Sequence, residues 1–270
     1  ILAKLDGSWS LPAGVITGND SLYVGNLASF GQFQIGEPAA PPCIVNIPDV
    51  NFKALLVAND SIDTNDDNEI QCSEAAAYTG SIIVNNSGIG DLTGIEAFVL
   101  LTGLNCSGNS LSSLDVSSNT LLTTLDVTAN QLLNLNVSSN TALTNLRCGS
   151  NLLTGLIVST NTALTDLYCH GNQLEELDIS ANTALTALFC EFNLLSALNV
   201  STNTALQYVD CYNNQITSLD FSANTALFFL NCNSNQLTTL NVKNGNNTNF
   251  TGLLALNNPL LTCIQVDDVD

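Results

Sequence analysis

The sequence predicts an α/β-solenoid, mostly β, with a short helical segment ahead of it, on three observations. A 21-residue phrase, L-x-x-L-x-C-x-x-N-x-L-x-x-L-x-V-S-x-N-T-A, runs seven times in succession between Leu101 and Asn249. Self-similarity at a fixed period of this length marks a stacked array in which each unit buries its apolar face only against its neighbours. Within each phrase, short apolar runs alternate, placing Leu167 and Cys169 inward and Asp166, Tyr168 and His170 outward, as in a strand.

Residues 1–42 hold short alternating runs, Ser21 to Val24 and Phe30 to Ile35, broken by Gly, Asn and Pro. They read as β-strands of a preceding domain or a small sheet, followed by a linker from Glu37 to Pro42. Residues 43–78 change character. Pro48 and Asp49 open a helix with Phe52, Leu55 and Leu56 as its apolar stripe, and Asn59 ends it. The twelve residues from Asp63 then place Asp63, Asn65, Asp67 and Glu69 at positions 1, 3, 5 and 7, apolar Ile70 at position 8 and Glu74 at position 12. That is the spacing of an EF-hand calcium loop, with the side chains of Asp63, Asn65, Asp67 and Glu74 and the position of Glu69 as the expected ligand set for Ca2+. Position 6, usually Gly because the chain turns there with positive φ, is Asn68, the best substitute for that conformation. A lone loop of this kind beside an array is expected to be a calcium-stabilised cap.

Residues 79–100 form an imperfect first coil, with Ile82, Val84, Ile89 and Leu92 in the apolar places and Ser87 where later coils have Asn. The regular coils fill 79–249 together with it, and 250–270 read as a carboxy-terminal cap coil. Each regular coil consists of two near-copies. This nested pattern resembles leucine-rich repeats, and its Cys-bearing 21-residue form is similar to the bacterial class called IRREKO. The resemblance implies a right-handed leucine-rich-repeat solenoid with two parallel sheets, one per half, in a secreted or cell-surface protein, with no catalytic residues. A column from Asn109 through Asn130, Asn151, Asn172, Asn193 and Asn214 to Asn235 is expected to be buried, its amides satisfying backbone groups of the turn and of the neighbouring coil.

Charge narrows the partners. With 24 acidic residues against 4 basic ones and a net charge of −20, the surface repels a phosphate backbone, which argues against nucleic acid and anionic lipid and favours divalent cations. No apolar run is long enough for a membrane span. The chain opens at Ile1 without Met or a signal segment, as a mature or excised piece does. Of nine cysteines, Cys106, Cys148, Cys169, Cys190, Cys211 and Cys232 share one column, interrupted by Val127. Side chains stacked in register suit neither tetrahedral zinc nor a disulfide torsion, so these read as buried thiols. Cys43 and Cys72 bracket the loop and are a possible disulfide in an oxidising compartment. His170 stands beside Asp166 on an open face without a nucleophile, and reads as a solvent-exposed histidine in a chain that is not an enzyme.

The informative departures lie on the outward face of the later first-half strands, where Tyr168, Phe189, Tyr208, Tyr212 and Phe229 replace the Asn, Thr and Asp of earlier coils. Exposed aromatics there suit a protein or glycan ligand, and point to an extracellular binding or adhesion module. The alternatives are a structural spacer for a missing domain and, third, an ice-binding solenoid suggested by the Thr141, Thr162, Thr183, Thr204 and Thr225 column, although Thr in a turn has ordinary turn chemistry.

Overall fold

The computed structural model describes residues 42–267, together with the backbone of five short strands among residues 3–35. Ile1–Pro42 and Cys43–Asp270 are separate compact units. In the first, β1 (Ala3–Leu5) pairs antiparallel with β2 (Ser8–Ser10) and with β5 (Gln34–Ile35), while β3 (Val15–Gly18) and β4 (Ser21–Val24) form a hairpin. The expected run from Phe30 lies outside the described residues before Gln34.

The second unit opens with α1 (Val50–Val57). Its N-cap is Asp49, whose carboxylate accepts from the Asn51 and Phe52 amides while its other oxygen accepts from Gly90 N at 2.8 Å. Burial of Asp49 works against ionisation, but the N–H groups of Gly90, Phe52, Asp91 and Asn51 outweigh it and hold the carboxyl below its ordinary value. One side chain thus caps the helix and fastens it to the first coil. Phe52 and Leu56 are buried, whereas Leu55, expected in the stripe, is 39% exposed because its side of this eight-residue helix faces away from the core. The loop beyond α1 leads into α2 (Cys72–Ala77).

The first halves of the coils then supply β6 (Ser81–Ile83), β7 (Gly103–Asn105), β8 (Thr124–Asp126), β9 (Asn145–Arg147), β10 (Asp166–Tyr168), β11 (Ala187–Phe189), β12 (Tyr208–Asp210), β14 (Phe229–Asn231) and β16 (Gly252–Leu254). All nine pair parallel, in register, in one sheet. The middle residue of each three-residue strand in β7 to β14, such as Leu104, Leu167 and Leu230, points inward and is buried, and the flanking residues face out. The array is therefore a mostly β parallel solenoid.

The expected second sheet is only partly present. β13 (Ser218–Asp220), β15 (Thr239–Asn241) and β17 (Ile264–Gln265) form it at the carboxy-terminal end. The bonds that extend it, from Phe221 N to Asn241 O and from Val242 N to Gln265 O, both 2.8 Å, have no counterpart in earlier coils among the described residues. There each second half is joined to its neighbour by one backbone bond, such as Gln173 N to Leu153 O, and by a side-chain amide instead.

Those amides form two buried columns. In the first, Asn172 accepts from Leu153 N through Oδ1 (3.0 Å) and donates through Nδ2 to Cys148 O (3.0 Å) in the preceding coil and Cys169 O (3.1 Å) in its own. The same set recurs at Asn130, Asn151, Asn193, Asn214 and Asn235. Asn258 repeats it in the last coil, accepting from Leu237 N. The second column, Asn119, Asn140, Asn161, Asn182, Asn203 and Asn224, is fully buried and donates to two carbonyls of the preceding coil, as Asn161 does to Val137 O and Asn140 O. The threonines that follow these asparagines are exposed in turns.

Changing Asn172 to Ala strands the Leu153 N–H and the Cys148 and Cys169 carbonyls. We expect a loss of about 3 kcal/mol in denaturant unfolding, against a change near zero for Asp178→Asn on the exposed face.

Candidate functional site

The outer face of the nine-stranded sheet is written by the first and third residue of each strand. Over β9 to β14 these positions change from polar to aromatic, and the rings pack face to face. Tyr168 stacks on Phe189 with centroids 4.4 Å apart, Phe189 on Tyr208 at 4.8 Å, and Tyr208 on Phe229 at 4.3 Å. The ladder changes column midway. Tyr168 and Phe189 occupy the third position, while Tyr208 and Phe229 occupy the first. Ala187, small and directly opposite Tyr208 in register, leaves the space for that diagonal step. At one end the Arg147 guanidinium lies 4.5 Å from the Tyr168 centroid, and at the other Phe229 lies over Gly252, where a Cβ would collide with its ring.

Because the rings cover one another, all four are half-buried where full exposure was expected. Tyr212 lies apart from this ladder and meets Phe192 edge-on, with centroids 4.9 Å apart and planes at 90°. Next to the ladder, the earlier strands leave a depression of about 410 Å³ lined by Ser81, Gly103, Asn105, Thr124, Asp126 and Arg147. Gly103 makes its floor, since a Cβ there would press on the Ser81 and Thr124 hydroxyls. The sequence lists these residues in the right places, but only the missing Cβ signals a hollow.

His170 departs from the exposed role expected for it. Its ring is half-buried over Gly149, where a Cβ would collide with it, and its Nδ1 lies 3.9 Å from Glu191 Oε1. Asp166 instead accepts a hydrogen bond from the Thr165 hydroxyl. Burial pushes the Glu191 carboxyl up to about 7, with Asp210 adding to the effect, and burial lowers the His170 imidazole below its ordinary value. Burial thus works against the charged form of each group.

In the loop after α1, Asp63 is buried and accepts from the Asp67 and Asn68 amides, while Asn65 and Asp67 accept from the amides two residues on. Asn68 has φ of 62°, the conformation expected at the Gly position. Ile70 O accepts from Val45 N, Cys72 N donates to Cys43 O, and Cys43 and Cys72 are joined by a disulfide with Cα atoms 5.4 Å apart. The Glu69 and Glu74 side chains have partners of their own. Glu69 pairs with Lys53 at 2.7 Å, and Glu74 accepts from Thr64 N and Oγ1 and from Gln71 N. Among the described residues no three carboxylate, imidazole or thiol side chains converge as a metal-ligand set. The oxygens of Asp63 and Asn65 fit a hard cation, whereas Asp67, which accepts from Gln71 Nε2 at 3.0 and 2.9 Å, and Glu74 would have to exchange their present donors for it.

The thiols of the cysteine column are buried, and burial drives Cys106, Cys148 and Cys232 up to about 12 and holds Cys169, Cys190 and Cys211 well above the ordinary thiol value. They are packing groups, inert as nucleophiles.

Parallel coils, buried amide columns and a thiol column together define a leucine-rich-repeat solenoid with a cysteine ladder. The chain is similar to the functional domain of InlJ from Listeria monocytogenes, described as including a cysteine ladder. The two are 34% identical with a TM-score of 0.59, over 82% of this chain and 60% of that one, so the chain spans less than two-thirds of that domain. It also shares its fold with internalin C2 of the same organism (18% identical, TM-score 0.67, 86% of this chain and 100% of that one) and with a leucine-rich-repeat protein of Leptospira interrogans (23%, 0.53, 64% and 44%). No protein-family model and no curated protein matches the chain. No helix among the described residues is long and apolar enough to cross a membrane.

Proposed function

We propose that this chain is a non-enzymatic binding or adhesion module, secreted or held at a bacterial surface, that recognises a partner protein through the outer face of the nine-stranded sheet. The aromatic ladder carries this reading. Four aromatic side chains on an otherwise Asn-, Thr- and Asp-rich face would be replaced at little cost by polar residues if the face only met water. Similarity to the InlJ domain supports the same class.

The ladder geometry favours protein over glycan. A sugar ring stacks on an aromatic face, but each inner face is already covered by its neighbour and the Tyr168 end by Arg147. Ring edges and the Tyr168 and Tyr208 hydroxyls are what the ladder presents, and a protein surface can pack on edges and hydrogen-bond the hydroxyls. On protein and glycan arrays we expect retention on protein ligands, reduced by about tenfold or more in the Tyr168→Ser, Phe189→Ser, Tyr208→Ser variant. Retention on glycans alone, or equal retention of the variant, contradicts this.

A calcium ion at Asp63, Asn65, Asp67, Glu69 and Glu74 would stabilise the amino-terminal cap. The support is the loop spacing, the positive φ at Asn68 and the pairing of Ile70 with Val45. Glu74→Ala does not isolate this role, because the carboxylate also holds Thr64 and Gln71 by hydrogen bonds. We expect millimolar calcium to raise the melting temperature of chelator-treated protein, with Asp63→Asn abolishing the rise; a melting temperature indifferent to calcium removes the proposal.

A further inference from the structure

Every coil turns through one residue in the left-handed region just before its column asparagine. Gly108, Ala129, Ser150, Gly171, Asn213 and Ser234 fill that place, and so does Phe192, with φ of 55°. The left-handed conformation is strained for a bulky side chain, yet Phe192 is kept and is 50% exposed, so it adds little to the core. Its neighbours are chemically pointed. Phe192 meets Tyr212 edge-on, and Glu191, beside it in the chain, has an oxygen, Oε2, that is buried without a hydrogen-bond partner, as is His170 Nδ1. Among the described residues the outer face of the sheet carries a single cation, Arg147, which already lies on Tyr168. A carboxylate without a counter-ion, beside an exposed aromatic ring in the chain and in the field of Asp210, is the chemistry that receives an organic cation.

We propose that Glu191, Phe192 and Tyr212, with His170 behind them, form a receptor for an ammonium or guanidinium side chain of the partner. This rests on the binding reading above and adds the partner's charge. Below about pH 7 burial keeps Glu191 protonated, so capturing a cation ionises it and releases a proton. The other titratable groups at this spot are Asp210, Tyr208 and the buried thiols of Cys169, Cys190 and Cys211, which interact with Glu191, and His170, on which Asp126 and Asp210 act. Affinity therefore rises from pH 6 to pH 8.

The test uses the chain alone, titrated with n-butylammonium and methylguanidinium, with n-butanol as neutral control, while NMR follows the Glu191 carboxyl and the His170 and Phe192 rings. The expected result is a saturable shift with both cations, absent with butanol and at Asp115 and Asp178, about tenfold weaker in Glu191→Gln and tighter at pH 8 than at pH 6. Phe192→Asn, the residue type of another coil at this place, is expected to lose the shift while melting at the same or a higher temperature. Equal shifts in Glu191→Gln, equal shifts with butanol or at Asp115, or a Phe192→Asn variant that melts lower and still binds would overturn the receptor. Because no partner protein is involved, such a failure leaves the array experiment on the ladder untouched.

Discussion

The structure depends on a side-chain amide that bonds backward. An asparagine just after each left-handed turn reaches the preceding coil, accepting from one backbone N–H and donating to one backbone carbonyl there while closing its own turn. A three-residue strand cannot hold register by itself, since it contributes few ladder bonds for the entropy of ordering a whole coil. The amide supplies the missing bonds in an apolar interior where leaving them unmade is costly. The thiol column follows from the same stacking. A side chain repeated at one spacing along parallel strands has room for a small apolar group, and burial then keeps the thiols protonated.

With register fixed by the amides, the outer positions of the strands are free to vary, and it is there that the aromatic ladder sits. The ladder illustrates how a solenoid face acquires properties that no single coil has. Tyr168 alone is an exposed ring. In the stack it fixes Arg147 on one side and Phe189 on the other, so the face offers a row of edges and hydroxyls flanked by Asp166 and Asp210. Phe192, Glu191 and His170 add a second feature at the coil turn, where strain and unmet hydrogen bonds occur together.

Much of this was legible in the sequence, for one physical reason. In a repeat, every position is repeated with its environment, so the inward Leu and Cys, the outward aromatics and the first asparagine column could be assigned from spacing. The failures lie where geometry is set between coils. Asn119 to Asn224 sit beside turn threonines and carry no sign of burial in their own coil, yet the asparagines are buried because their donors meet the carbonyls of the coil behind. The second sheet was expected over the whole array and forms only from Ser218 onward. His170 reads as solvent-exposed on an open face without a nucleophile; the hollow over Gly149 and the carboxylate of Glu191 come from the coils on either side. In the loop from Asp63, spacing identified the residues but not the present engagement of Glu69 with Lys53 and of Glu74 with Thr64.

The claim that backward-bonding amides hold the coils together is tested most directly by native-state hydrogen exchange on the Asn151→Ala variant. The account predicts fast exchange localised at Leu132 N–H and across the interface between the coils containing Val127 and Cys148, with α1 and β16 still protected. Exchange that is unchanged, or accelerated uniformly along the array, would contradict it.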